Sequence, residues 1–219
     1  MKYKCLVLDH DDTVVDSTRT VHFPCFVEYL EKYYPRFSKN YTLESYLVKN
    51  FHPGISELLT DEIGLGEAEL KHEVDYWANY CKSHIPTAFS GIAELISDFK
   101  SAGGTVIIDS HSLSEYIRRD FSANSLPTPD FIYGWDIPAE QRKPSPYTLF
   151  DIMKRYGFKP TEMLVVDDLK PGYDMARGAG VDFAAAGWAY DVKEIREFMK
   201  QNCDFYLEKI EDLRRLLFN

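Results

Sequence analysis

Cys5-Leu6-Val7-Leu8 is a short apolar run that stops abruptly in Asp9-His10-Asp11-Asp12-Thr13. Four apolar residues without polar alternation read as a strand covered on both faces, the environment of a parallel sheet. The same shape recurs along the chain: Val106-Ile107-Ile108 runs into Asp109-Ser110, and Met163-Leu164-Val165-Val166 runs into Asp167-Asp168. Phe131-Ile132-Tyr133 is a third copy and Phe183-Ala184-Ala185-Ala186 a weaker one. Helical periodicity fills the spaces between. Residues 91–102 put Ile92, Leu95, Ile96 and Phe99 on one face before the stop at Gly103-Gly104. Residues 145–156 carry Leu149, Ile152 and Met153 and end at Gly157, and residues 171–179 end at Gly180. Strands alternating with helices predict an α/β fold: a doubly wound, Rossmann-like parallel sheet. Such sheets bind ligands beyond the carboxyl ends of their strands, which is where the acidic residues fall.

One stretch breaks the alternation. Between Val21 and His84 there is no strand-like run, only aromatic-rich helical patterns at residues 23–34, 43–48, 55–60 and 67–81. That is too long for an ordinary crossover connection. The expected organisation is an α/β core from residues 1–18 and 85–219, with an all-helical cap of residues 19–84 inserted after the first strand. Helices that merely cover one sheet face are the plainer alternative.

The bulk properties narrow the function. The 219 residues carry 25 Lys plus Arg against 35 Asp plus Glu, a net charge of -10. An acidic surface repels phosphate backbones, so no nucleic-acid partner is expected. A small anion is not excluded, because a metal can invert the local field. Cys5, Cys25, Cys81 and Cys203 are scattered and form no C-x-x-C pair, which favours a reduced compartment over a disulfide framework or zinc site. No long apolar run suggests a membrane span, and Met1-Lys2-Tyr3-Lys4 leads straight into the first strand rather than into a signal peptide. The expected location is the cytoplasm. Oligomeric state is not legible.

The carboxylates at Asp9, Asp11 and Asp12 repel one another unless a cation sits among them. Hard oxygen donors of this kind suit Mg²⁺, which takes a few carboxylates, waters and phosphate oxygens. A lone D-x-D would read equally well as a solvated loop. Here it follows a buried strand, and Asp167-Asp168 stands at the end of another, so two strand ends can converge on one metal. Lys143, in Arg142-Lys143-Pro144, can neutralise both a phosphate and an attacking carboxylate. Ser110 offers a hydroxyl and a backbone N–H to an anion.

Taken in this order, the motifs resemble the haloacid dehalogenase superfamily over nearly the whole chain. Asp9-His10-Asp11-Asp12-Thr13 is similar to its first motif, D-x-D-x-T. Ser110 matches the second, Lys143 the third and Asp167-Asp168 the fourth. The helical insertion matches the branch that includes phosphoglycolate-type phosphatases and β-phosphoglucomutase. The resemblance implies a Mg²⁺-dependent phosphatase acting on a small phosphorylated metabolite through an aspartyl-phosphate. Asp9 would be the nucleophile and Asp11 the general acid and base. Thr13 would brace the loop. Ser110, with His111 beside it, would hold the phosphoryl group, and Lys143 would balance its charge. The implied metal ligands are Asp9, the Asp11 carbonyl and Asp168, with Asp167 beside them, on water or Lys143. A second Asp in the first motif also separates the phosphotransferases from the metal-free dehalogenases of the superfamily.

The sequence departs from the family at three places. Asp12 replaces a common Gly, Asp109 puts an unexpected carboxylate before Ser110, and Gly172 stands where a further Asp often sits, with Asp174 nearby. His10 falls at the parity that points away from Asp9 and Asp11, and Trp135 and Trp188 read first as packing. Arg19 and Lys49 read as solvated charges. Two alternative functions share the motifs: a sugar-phosphate mutase on the same chemistry, and a non-catalytic phosphate-ligand binding module.

Overall fold

The computed structural model describes residues 2–218. The chain divides into two compact units, Ser17–Pro86 and the remainder. The larger unit begins with β1 (Cys5–Leu8) and a two-residue β2 (Val15–Asp16). The smaller unit holds α1 (Phe23–Tyr33), α2 (Leu43–Phe51), the short α3 (Ile55–Glu57), which continues into a π-type turn at Leu58–Ile63, and α4 (Glu67–Ser83). The chain then re-enters the larger unit through β3 (Thr87–Ala88), α5 (Ile92–Ser101), β4 (Thr105–Asp109), α6 (Ser114–Ala123) and β5 (Phe131–Tyr133). It finishes with α7 (Tyr147–Tyr156), β6 (Met163–Asp167), α8 (Lys170–Ala179), β7 (Asp182–Ala186), α9 (Lys193–Asn202), β8 (Phe205–Leu207) and α10 (Ile210–Phe218).

Six strands form one parallel sheet in the order β5-β4-β1-β6-β7-β8. The chain runs outward from β1 to one edge and then returns to lay β6 on the other side of β1. That reversal is the switch point at which doubly wound sheets open a crevice. The apolar runs behave as their composition demands: every residue of β1 and β6 is buried. Around them Leu95, Ile96 and Phe99 of α5 and Leu213 and Leu217 of α10 complete a continuous core. Such burial stabilises by roughly 1.5–3 kcal/mol per large apolar side chain. β2 and β3 pair antiparallel at the two points where the chain leaves and re-enters this unit.

The smaller unit has its own core, built from Phe26, Tyr29 and Leu30 of α1, Tyr46 of α2, and Leu58, Leu59, Ile63 and Leu65. α2 starts on a capping box, with the Thr42 hydroxyl accepting from Ser45 N–H and the Ser45 hydroxyl accepting from Thr42 N–H. Among the described residues no helix is long and apolar enough to cross a membrane, and Cys5, Cys25, Cys81 and Cys203 are all free thiols.

Candidate active site

Strand register gathers the polar residues. Leu8 lies level with Ile108 of β4 and Val166 of β6. The next residue on each strand is therefore Asp9, Asp109 and Asp167, in one row at the carboxyl end of the sheet. Asp9 N–H donates to the Val166 carbonyl at 2.9 Å, which continues the ladder one residue beyond β1. Ser110 N–H donates to the Tyr133 carbonyl at 2.9 Å. That amide is thus already used, and only the Ser110 hydroxyl is left for an anion, a correction to the expectation of two donors.

Lys143 reaches this row from the segment between β5 and α7. Its ammonium lies 2.6 Å from Asp9 Oδ1 and 2.6 Å from Asp167 Oδ2, and all three groups are buried. Burial pulls the lysine pKa down, but the negative charges of Asp167, Asp9 and Asp109 outweigh it, so the net shift is upward and the group stays an ammonium. Burial pushes the Asp9 carboxyl well above the usual carboxylate range. The Lys143 charge opposes this, while Asp167 and Asp11 reinforce it. Asp168 is pushed the same way by burial, then by the charges of Asp167, Asp12 and Asp9.

Asp9, Asp167 and Asp168 each offer an oxygen within 4.8 Å of the others. Asp168 Oδ2 accepts from the Tyr190 hydroxyl at 2.8 Å. Its Oδ1 is buried and has no hydrogen-bond partner among the described residues. An unpaired buried carboxylate oxygen is costly, and one on a carboxylate grouped with two others fits a hard divalent cation. Asp11 directs its own carboxylate elsewhere: Oδ2 accepts from Ser112 Oγ at 2.5 Å and, weakly, from Ser110 Oγ at 3.5 Å.

The remaining expected residues are placed as follows. Asp12 sits at φ 56°, in the left-handed region, with its N–H donating to the Val15 carbonyl at 2.7 Å. Asp tolerates that conformation better than most residues, so it can stand in for the customary glycine. Thr13 is buried; its hydroxyl has no partner among the described residues and its carbonyl accepts from Trp188 Nε1 at 3.1 Å. His111 Nε2 lies 3.0 Å from the Lys143 carbonyl, with the ring edge-on to Trp135. Burial, then the Lys143 charge, hold its pKa down to about 4. The ring is therefore neutral at pH 7, and Nε2 carries the proton, because a carbonyl can only accept. This use of Nε2 ties the lysine segment in place.

His10 turns away from the cluster, as its parity implied: it is buried, with Nε2 3.1 Å from Asp120 Oδ2 and the ring stacked on Phe121. Asp109 points toward α7, where it accepts from the Thr148 hydroxyl. Burial raises it to about 6 against the opposing charge of Lys143. Asp174 is spent on a surface pair with Lys170 at 2.6 Å. Gly172 has a packing reason, since a Cβ there would lie 2.1 Å from Asp167 Oδ2.

Sequence reasoning missed Ser112, Thr148 and Tyr190. Ser112 carried a signal, a second hydroxyl two residues beyond Ser110. Thr148 and Tyr190 arrive from distant segments and had none.

The family model for haloacid dehalogenase-like hydrolases matches residues 6–186. A phosphoglycolate phosphatase of Aquifex aeolicus is 26% identical over 223 residues, covering 99% of this chain and 97% of that protein. One from Vibrio vulnificus is 23% identical, covering 96% and 94%. The crystal structure of a putative haloacid dehalogenase-like hydrolase from Bacteroides fragilis superposes with a TM-score of 0.80 at 21% identity, covering 97% of this chain and 100% of that one.

Proposed function

The chain belongs to the haloacid dehalogenase-like hydrolase family, and from that premise we propose that it is a Mg²⁺-dependent phosphatase of small phosphorylated metabolites working through an aspartyl-phosphate on Asp9. The observation that carries this reading is the Lys143 ammonium bridging Asp9 and Asp167 beside the orphaned oxygen of Asp168. Two curated relatives are phosphoglycolate phosphatases, so 2-phosphoglycolate is the first substrate to try.

Each residue has a task that its position permits. Asp9 attacks phosphorus with one carboxylate oxygen, and the bond to the leaving oxygen breaks on the opposite side. Lys143 stays within hydrogen-bond distance of that carboxylate and offsets the charge brought by the phosphoryl group. Asp11, oriented by Ser112, gives its proton to the departing alkoxide; it then takes one from the water that cleaves the acyl phosphate. The Ser110 hydroxyl donates to a phosphoryl oxygen. Asp9, Asp168 and the Asp11 carbonyl would hold the Mg²⁺, with Asp167 kept on Lys143. When bound, the ion supplies positive charge to phosphate oxygens and to the carboxylates around it. The helical unit, as a cap, would set which phosphate ester is accepted.

A panel of phosphorylated metabolites assayed for phosphate release with Mg²⁺ tests the activity. Asp9→Asn is expected to abolish release while leaving the fold intact, and beryllofluoride is expected to form its adduct on Asp9. An adduct on another residue, or an active Asp9→Asn protein, would overturn the mechanism.

A further inference from the structure

The loop that leaves β7, Gly187-Trp188-Ala189-Tyr190, reaches both acidic loops of the candidate site. Trp188 Nε1 donates to the Thr13 carbonyl at 3.1 Å, next to the first acidic cluster. The Tyr190 hydroxyl donates to Asp168 Oδ2 at 2.8 Å and lies 3.3 Å from the Asp168 carbonyl. The loop is itself fixed. Gly187 N–H donates to the Leu207 carbonyl at 2.9 Å, and a Cβ on Gly187 would lie 2.5 Å from the Tyr206 ring. Only glycine lets the chain leave the strand this closely against β8, so the Tyr190 hydroxyl is delivered from a rigid base.

Asp168 is thus divided between two uses. One oxygen is taken by a phenol that donates to it, and the other is buried with no partner among the described residues. A carboxylate held in this way presents its free oxygen along a fixed direction, while the other is engaged by the phenol. Mg²⁺ is small and demands near-octahedral geometry, which single-oxygen carboxylates satisfy. Ca²⁺ is larger, accepts more ligands, and takes carboxylates through both oxygens. Groups that orient a metal ligand typically contribute 10–100-fold to metal affinity.

We propose that Tyr190 is a positioning residue for the metal-binding carboxylate Asp168, holding Oδ2 so that Oδ1 alone faces the cation and the site favours Mg²⁺ over Ca²⁺. This rests on the reading of Asp168 as a metal ligand given above. Removing the hydroxyl frees Asp168 to rotate and to chelate through both oxygens. Mg²⁺ then loses a pre-oriented ligand, whereas Ca²⁺ gains a geometry that suits it.

The test is calorimetric titration of Mg²⁺ and of Ca²⁺, without substrate, into the wild-type protein, Tyr190→Phe and Asp168→Asn. Thermal unfolding is recorded for each. Tyr190→Phe is expected to weaken Mg²⁺ roughly 10-fold while Ca²⁺ affinity holds or rises, so the Mg²⁺/Ca²⁺ preference shifts toward Ca²⁺. Asp168→Asn is expected to lose both ions. In turnover, Tyr190→Phe should need more Mg²⁺ yet approach the wild-type kcat at saturation. Wild-type affinities in Tyr190→Phe, or an equal loss of both ions with a lowered Tm, would overturn the positioning role while leaving the metal site standing. A wild-type protein that binds no Mg²⁺, or an Asp168→Asn protein that binds it unchanged, would overturn the metal reading and this inference with it.

Discussion

Asp109 gives the sharpest test of the electrostatics at the strand ends. Its carboxyl is buried at the end of β4, accepts from the Thr148 hydroxyl, and is raised from 3.8 to about 6 chiefly by burial. The sign follows from which state holds the proton. A carboxyl whose pKa is higher in the folded protein binds protons better there, so it contributes stability that is fully present below the unfolded value and lost as pH rises through about 6. Above that, the ionised group is a cost. A displacement from 3.8 to about 6 corresponds to about 3 kcal/mol. Nearly all of that is charged against the fold at pH 7.5, and linkage returns about half of it by pH 5.

Asp109→Asn replaces the carboxylate with a neutral group of the same shape whose Oδ1 can still accept from Thr148. The variant is therefore expected to be more stable than wild type at pH 7.5, with about 3 kcal/mol as the ceiling, or about 6–12 °C in Tm for a chain of this size. Near pH 4, where the folded-state carboxyl is neutral, the gain should fall to about a fifth of that ceiling. Differential scanning calorimetry of the metal-free proteins from pH 4 to 8 measures it. A gain that does not change with pH, or an Asn variant that melts lower than wild type at pH 7.5, would refute the argument that Asp109 is an ionised burden on the fold.

Two further changes probe the neighbouring groups. Ser112→Ala removes the hydroxyl that orients Asp11 at 2.5 Å; a hydrogen bond of roughly 0.5–1.5 kcal/mol should slow kcat roughly 2–10-fold, more for alkyl phosphates than for p-nitrophenyl phosphate, and equal losses would count against it. Gly172→Ala places a Cβ 2.1 Å from Asp167 Oδ2, which should push Asp167 off Lys143, lower stability by roughly 1–3 kcal/mol and reduce turnover; unchanged Tm and kcat would mean that Asp167 is not held where it stands.

Much of this was legible in the sequence because the polar residues sit next to runs that can only be strands. Val106–Ile108 and Met163–Val166 needed no partner to be recognised, and Asp109 and Asp167 follow them in the chain. Helices with a one-sided apolar face were equally plain, as with Ile92, Leu95, Ile96 and Phe99. After Ala186 no strand or helix is legible from the pattern. α9 buries only Ile195 and Met199, and β8 is a three-residue edge strand between Asp204 and Glu208, which looks like loop. β2 and β3 are two residues each and carry no periodicity at all. Within the site, residue identity was legible and side-chain direction was not. Nothing in the sequence says that Asp109 turns to Thr148 or that Asp168 is shared with Tyr190, because those partners lie 39 and 22 residues away.

Charge balance supplies the last link between the fold and the proposed chemistry. Asp9, Asp12, Asp109, Asp167 and Asp168 are all buried at or beside one end of the sheet, and Lys143 is the one buried Lys or Arg among the described residues. With every carboxylate ionised, the cluster would carry four negative charges in excess, in surroundings that screen poorly. Burial is the largest cause of the upward shifts at Asp9, Asp109 and Asp168, and neighbouring carboxylates add to each. An uncompensated cluster would repel the substrate dianion, as the net charge of -10 already does at long range. A divalent cation beside Asp9 and Asp168 would halve that excess. The proposed cation would thus join Lys143 in favouring the carboxylate form of Asp9 and in offsetting the charge that repels a phosphate, a balance that Lys143 alone cannot supply.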